Sequence, residues 1–168
     1  MKFVHALAAA MLAAGLGLSA TACTSNGYAT NDEEAVAEKV DVTIESASGA
    51  HVFHTEVAKS AAEQARGLMY RTDLPDDFGM LFWPYPAGGG APREASFWMK
   101  NTPSPLDIIF IRPDGTIARV AANAVPFDES PIASGEPVGA VLEIRGGRAG
   151  ELGIQEGDTV RWPGQKRG

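Results

Sequence analysis

Alternation of apolar and polar residues predicts two strands near the start of the folded part of the chain. Apolar side chains occupy every second position in residues 40–44, which is the period of a strand with one buried face. Residues 52–57 follow as a second strand-like run, and Ser48-Gly49 between the two runs supplies residues that favour a turn. We therefore predict a β-hairpin over residues 40–57.

A short helix is predicted immediately after this hairpin. Ser60 is followed three residues later by Glu63, which is the spacing of a capping box. In that motif each of the two side chains binds the backbone amide of the other residue. Gly67 is suited to end the helix because it readily adopts a left-handed conformation. The predicted helix covers residues 61–66.

Further short apolar runs, separated by glycine and proline turns, extend the pattern to the end of the chain. Strands are predicted over residues 80–83, 96–99, 106–111, 117–120, 138–144 and 159–162, with one helical turn within residues 146–152. Pro113-Asp114-Gly115 has the residue types of a tight turn between two of these strands. Eight or so short strands with one or two short helices indicate a mainly β fold, either a β-sandwich or a partly closed barrel.

Residues 1–22 have the layout of a signal peptide. Lys2 precedes an uncharged apolar run, and Ala20-Thr21-Ala22 is a small-x-small cleavage pattern directly before Cys23. The four residues ending at Cys23 resemble a bacterial lipobox, although Ala20 stands where leucine is preferred. The resemblance implies that Cys23 is lipidated after cleavage. The alternative is ordinary cleavage, which would leave a free thiol on an exported protein.

The remainder of the chain is predicted to form a tether and one domain. Residues 23–37 are polar and acidic, and we interpret them as a lipid-anchored flexible tether before a single β-rich domain at residues 38–168. Thr24 is not acidic, so the lipobox resemblance favours an outer-membrane lipoprotein of the cell envelope that faces the periplasm. The net charge of −7 gives no electrostatic attraction for nucleic acid. The expected contact with the membrane is therefore the lipid anchor.

From Arg66 onward the chain resembles the family called domain of unknown function 192, or uncharacterised protein family 0127. The matching runs are Arg66-Gly67-Leu68-Met69-Tyr70-Arg71, Gly79-Met80-Leu81-Phe82, Phe97-Trp98-Met99-Lys100-Asn101-Thr102, Pro105-Leu106-Asp107-Ile108-Ile109-Phe110-Ile111, Asp114-Gly115, Gly153-Ile154 and Gly157-Asp158. The resemblance implies a jelly-roll-like β-sandwich and a protein that is often exported or membrane-associated. It implies no activity and no catalytic residues.

Few residues of the mature chain suit metal or cofactor chemistry. His51 and His54 are the histidines that remain after the signal peptide is removed, and three residues apart on a strand they point to opposite faces. The sequence contains no Cys-x-x-Cys, His-Glu-x-x-His, Walker or dinucleotide-binding motif. We therefore expect no cofactor and no metal. The alternative is a copper site built from a histidine and methionines that otherwise fill the core, namely Met69, Met80 and Met99.

Residues 97–107 concentrate aromatic, amide and carboxylate side chains beside a proline-stiffened link. Asp107 opens an otherwise apolar strand, so its carboxylate must either accept hydrogen bonds from a nearby loop or line a pocket. Asn101, Thr102 and Arg66 are the partners that we consider for the first alternative. The candidate ligand-binding residues are Arg66, Trp98, Asn101 and Asp107.

Glu143 also lies in an apolar run, and two interpretations are open. Facing solvent, it would pair with an arginine across the sheet. Facing Asp107 across a cleft, it would make a carboxylate pair for hydrolysis of an envelope glycan or a related substrate. No residue is assigned as catalytic outside this alternative. The leading prediction is a binding or interaction module of unknown molecular function at the envelope, with an unknown ligand or protein partner and no enzymatic role.

Overall fold

The computed structural model describes residues 37–165. They belong to the compact unit Ala35–Gly168. The predicted signal peptide, Cys23 and nearly all of the predicted tether lie outside the described residues. None of the helices in the described part is long and apolar enough to cross a membrane.

The described residues form a mainly β structure with two short helices, which confirms the predicted fold class. The strands are β1 (Lys39–Ser46), β2 (Gly49–Ala58), β3 (Phe78–Phe82), β4 (Arg93–Phe97), β5 (Leu106–Ile111), β6 (Ile117–Ala124), β7 (Ile132–Val138), β8 (Ala140–Arg145) and β9 (Thr159–Arg161). The helices are α1 (Ala61–Arg66) and α2 (Arg148–Glu151).

Seven strands form one curled sheet in the order β6-β5-β8-β3-β2-β1-β9, a half-barrel, while β4 and β7 form a small second sheet. The β2–β3 pair is parallel, and the other pairs in the large sheet are antiparallel. At one end the two edge strands approach each other. The Ile117 amide donates to the Asp158 carbonyl at 2.9 Å, and the Val160 amide donates to the Gly115 carbonyl at 2.8 Å. The sheet is therefore partly closed, which is one of the two arrangements that the sequence predicted.

Each face of the large sheet carries its own apolar core. One core contains Ile44, Phe53 and Leu142 and is completed by residues of α2 and β9. The other core contains Phe82, Ile108 and Phe110 on the large sheet, together with Ala95 of β4 and Val138 of β7. β5 and β8 are buried along most of their length because both of their faces are covered.

The predicted elements are present, and one further strand was not predicted. The hairpin is confirmed as β1 and β2, and α1 covers the residues predicted from its capping box. The strand predicted over residues 138–144 corresponds to β8, whereas β7, which ends at Val138 and belongs to the other sheet, was not predicted. Gly135 and Pro137 hid β7, because both residues are unfavourable in a strand that needs partners on two sides. β7 pairs with β4 alone.

Candidate functional site

A cavity of about 530 Å³ lies between α1, the segment that follows it, and β4. Gln64, Ala65 and Arg66 of α1 line one side, and Ser96, Phe97 and Trp98 line another. Tyr85 and Glu143 also line the cavity. Its volume lies within the range of about 300 to 1,000 Å³ that is typical of small-molecule sites.

Local sequence signals hold α1 against this cavity. The Ser60 hydroxyl accepts from the Glu63 amide, and a Glu63 carboxylate oxygen accepts from the Ser60 amide at 2.7 Å. This reciprocal cap lowers the pKa of Glu63. At the other end, the Gln64 side-chain amide donates to the carbonyls of Ala58 and Pro84. The helix is therefore fixed to the end of β2 and to the segment that follows β3.

Gly67 brings the backbone after α1 close to the Glu143 carboxyl. Its φ of 49° and ψ of −137° form a combination that side chains disfavour, and this differs from the ordinary left-handed conformation predicted from sequence. A Cβ atom at Gly67 would lie 3.1 Å from Phe82 Cζ and 3.5 Å from Glu143 Oε2. Glycine therefore allows the chain to pass directly over the carboxyl group.

Glu143 is the buried acid of the cavity. It lies in β8 opposite Met80 of β3 and Ile108 of β5, and its side chain is 4% exposed. Glu143 Oε2 is buried without a hydrogen-bond partner among residues 37–165. Burial raises the pKa of Glu143 to about 8, an effect that the Leu68 amide partly opposes. At neutral pH the group is therefore mainly an uncharged carboxylic acid.

The predicted outward Glu143, paired with an arginine, is wrong. β8 lies in the interior of the large sheet and has core residues on both faces. The side chain of Glu143 therefore points into protein on one face of the sheet instead of into solvent. It forms no ion pair with any residue of the described part of the chain.

Aromatic side chains form the apolar wall of the cavity. The Phe97 ring packs edge-on against Phe82, with 5.0 Å between the ring centres, and lies 6.1 Å from the ring of Tyr85. Trp98 is 46% exposed, and the Lys100 ammonium group lies 5.0 Å from the centre of its ring. The wall is therefore fixed by the core on one side and open at Trp98 on the other.

Two arginines complete the lining. Arg66 is the last residue of α1, and Arg93 is the first residue of β4. The Arg93 guanidinium carbon lies 5.7 Å from the centre of the Tyr85 ring, which is a cation–π distance. Both side chains are exposed and contribute to the cavity surface.

Asp107, by contrast, is held by backbone amides away from the cavity. Its Oδ1 atom accepts from the amides of Asn123 at 2.8 Å and Gly147 at 2.9 Å, and its Oδ2 atom accepts from the Ala149 amide at 2.7 Å. The carboxylate is fully buried. Three amide donors explain how a charge is accommodated there, and they replace the side-chain partners considered from sequence.

The structure separates the four candidate ligand-binding residues into two groups. Arg66 and Trp98 line the cavity, whereas Asn101 and Asp107 do not. Asn101 has a φ of 53°, and its carbonyl accepts from the Tyr70 amide at 2.8 Å, so it joins two loops. Asp107 and Glu143 project from opposite faces of the sheet, because Asp107 pairs with Ile144 and Glu143 with Ile108. The carboxylate pair considered for hydrolysis is therefore not brought together.

The histidines lie on β2, whereas Met80 and Met99 lie in or against the core that contains Phe82. His54 Nδ1 lies 2.7 Å from Asp41 Oδ1, which raises the pKa of His54, whereas His51 contacts Ser48. Met99 is fully buried in the core, and Met69 lines the cavity. Among residues 37–165, no three His, Cys, Asp or Glu side chains are grouped closely enough to hold a metal ion.

Two residues of this site, Tyr85 and Arg93, were not identified from sequence, and the direction of a third, Glu143, was left open. Glu143 was recognised as unusual, but its direction depends on which strands flank β8. Tyr85 and Arg93 reach the cavity from segments distant in sequence from α1, and neither carries a local signal of binding. The signal available for Glu143 was an acidic residue within an apolar run that shows no alternation of apolar and polar residues.

Comparison with known proteins agrees with the sequence resemblance. A crystal structure of a protein of unknown function from Novosphingobium aromaticivorans DSM 12444 is 52% identical, with a TM-score of 0.69, covering 74% of this chain and 85% of that chain. A protein from Sinorhizobium meliloti 1021, described as a candidate transcription regulator, is 41% identical, with a TM-score of 0.69 and coverages of 75% and 95%.

No curated protein matches the chain. The model of the family DUF192, described as Uncharacterized ACR, matches residues 42–162. This match covers both sheets and the cavity-lining residues. The chain therefore belongs to the DUF192 family.

Proposed function

We propose that the protein is a binding module of the cell envelope that holds a small molecule in the cavity beside α1. The observation that carries this proposal is the Glu143 carboxyl group, which lines the cavity and has a buried oxygen without a hydrogen-bond partner in the described residues. Such a group costs stability unless a partner binds it. A ligand with a polar group at the cavity floor would supply that partner.

The shape of the site supports a ligand with an apolar body. Trp98 and Tyr85 offer aromatic surface to the cavity, and Phe97 is held in place by contacts with Phe82 and Phe110. Preformed apolar walls with a few polar groups are the usual composition of small-molecule sites. The cap of α1 and its Gln64 hydrogen bonds keep the opposite wall in position.

Binding is preferred to hydrolysis because the second carboxylate is engaged elsewhere. Acid–base hydrolysis of a glycan requires two carboxyl groups facing a common substrate. Asp107 already accepts three backbone hydrogen bonds on the opposite face of the sheet. The Sinorhizobium protein is described as a candidate regulator of transcription, but we do not propose that role for this chain, because a net charge of −7 does not favour binding to DNA.

The envelope location is supported by the amino-terminal sequence. Lys2, the apolar run that follows it and Ala20-Thr21-Ala22 before Cys23 are the parts of a lipoprotein signal. We propose that lipidated Cys23 anchors the protein in the outer membrane, facing the periplasm, with residues 23–37 as the tether. The lipid would be its contact with the membrane, because the acidic chain gains nothing from anionic headgroups.

A fragment screen by ¹H–¹⁵N NMR tests the binding role. Ala65 of α1 lines the cavity, whereas the exposed neighbour Ala62 does not. Fragments should shift the amide signals of Leu68 and Phe97 in the wild-type domain and in Ala62→Trp, and Ala65→Trp should abolish these shifts by filling the cavity. Absence of fragments that bind at these residues, or binding that survives Ala65→Trp, would contradict the proposal.

A further inference from the structure

The charges around the cavity differ from those of the chain as a whole. The chain has a net charge of −7, yet the charged lining of the cavity consists of Arg66, Arg93 and a single acid, Glu143. Burial of Glu143 favours its uncharged form at neutral pH. Within the described residues, the lining therefore carries two positive charges with no ionised carboxylate to balance them.

The two arginines of the cavity are also the two that the fold leaves unpaired. Of the eight arginines among residues 37–165, six form an ion pair or a hydrogen bond with another residue through the guanidinium group. The side chains of Arg66 and Arg93 form neither within that part of the chain, and both line the same cavity. Arginines without a binding role would be expected at scattered surface positions, whereas Arg66 and Arg93 lie at the same cavity.

The other residues of the lining offer aromatic surface and a hydrogen-bond donor. The Tyr85 ring packs beneath Arg93, and exposed Trp98 provides a second aromatic surface. An uncharged carboxyl group at Glu143 can donate a hydrogen bond to an acceptor oxygen, which an ionised carboxylate cannot do. Guanidinium groups bind the paired oxygens of carboxylates and phosphates through two parallel hydrogen bonds.

We propose that the cavity binds a small organic anion whose oxygens are met by Arg66, Arg93 and Glu143 and whose apolar body packs against Trp98 and Tyr85. This inference rests on the proposed binding function and adds the chemical class of the ligand. Its basis is the convergence of two unpaired guanidinium groups and a buried, unpartnered carboxyl oxygen on one cavity.

A series of naphthalene probes with an anionic, a neutral or a cationic substituent tests this class. The full mature domain is titrated near neutral pH with 2-naphthoate, 2-naphthamide and 2-naphthylmethylamine, and binding is followed through the amide signals of Leu68 and Phe97. We expect 2-naphthoate to bind at least about fivefold more tightly than the amide, which corresponds to one modest charge interaction. The amine should bind more weakly than either.

Variants of the two arginines test whether they cause the preference for 2-naphthoate over 2-naphthamide. The double variant Arg66→Gln/Arg93→Gln should bind 2-naphthoate and 2-naphthamide equally. Arg161→Gln removes a charge from Arg161, which is paired with Glu45 and does not line the cavity, so it should retain the preference. Loss of the preference in Arg161→Gln would instead assign it to overall charge and overturn the inference.

The remaining outcomes separate this inference from the proposed function. Equal binding of 2-naphthoate and 2-naphthamide, or tighter binding of the amine, would overturn the anionic class while leaving a ligand-binding cavity. Binding of none of the three probes at Leu68 and Phe97, together with a negative fragment screen, would overturn both proposals.

Discussion

Asp107 and Glu143 lie one register position apart on the neighbouring antiparallel strands β5 and β8, so their side chains project from opposite faces of the sheet. Each is an acid in an apolar run, and each is almost completely buried. Asp107 receives three backbone hydrogen bonds, whereas Glu143 Oε2 receives none within residues 37–165. The first is therefore a structural acid, and the second is the buried acid of the cavity.

Replacing Asp107 should strongly destabilise the fold. In Asp107→Asn an amide NH₂ group replaces one acceptor oxygen and faces backbone N–H donors of Asn123, Gly147 or Ala149. We expect the free energy of unfolding in urea to fall by about 2 to 4 kcal/mol. Asp114→Asn is the matched control, since exposed Asp114 binds the Thr116 amide and should cost less than about 1 kcal/mol. Equal effects of the two substitutions would contradict the structural role of Asp107.

Glu143 should make stability depend on pH. The pKa of Glu143 is about 8 in the folded protein, against an ordinary value of 4.5 for glutamate, so between these values the folded protein holds a proton that the unfolded chain has released. The stability contributed by the neutral acid is complete below pH 4.5 and is lost as pH rises towards about 8. Glu143→Gln cannot ionise and should therefore gain stability relative to the wild type as pH rises.

The difference between Glu143→Gln and the wild type is the quantity to measure. Thermal unfolding at several pH values between 5 and 8 should show the variant gaining about 2 to 5 kcal/mol over this range. The pKa of His54 is also raised, by its contact with Asp41, so its contribution also declines as pH rises. That contribution is present in both proteins and cancels in the difference. A constant difference across this range would show that Glu143 is ionised in the folded protein.

Gly79 should tolerate no side chain. A Cβ atom there would lie 2.9 Å from the Glu143 carbonyl oxygen and 3.1 Å from Leu142 Cδ1, both in the neighbouring strand β8. Gly79→Ala should therefore cost about 1 to 3 kcal/mol of unfolding free energy in urea. Gly150→Ala is the control, because a Cβ atom at that position in α2 would meet no heavy atom of residues 37–165 within 4 Å apart from its chain neighbours and its own helix backbone, and the substitution should be neutral or stabilising. A neutral Gly79→Ala would contradict the close approach of β3 and β8.

How far the sequence could predict this structure depends on how local each signal is. The cap formed by Ser60 and Glu63 lies within four consecutive residues, so α1 was predicted with its observed limits. The donors to Asp107 come from Asn123, Gly147 and Ala149, which are 16, 40 and 42 residues away. No local pattern could identify these partners.

The residues that line the cavity were harder to predict from sequence, because long-range packing brings them together. The direction of Glu143 follows from the burial of both faces of β8, and a strand buried on both faces shows no alternation from which direction can be read. Arg66 and Trp98 were selected from sequence as ligand-binding candidates and do line the cavity. Arg93 and Tyr85 join them through the fold of the second sheet and of the segment after β3.

Cys23 should determine where the protein resides. If the cysteine is lipidated, cells expressing the full chain should incorporate labelled palmitate into the protein, which should sediment with the membranes. Cys23→Ser should lose the label and leave the protein in the soluble envelope fraction, because the acidic domain has no charge attraction for anionic lipid. Thr24→Ser is the control and should retain label and membrane association. Palmitate incorporation that persists in Cys23→Ser would show that the anchor lies at another residue.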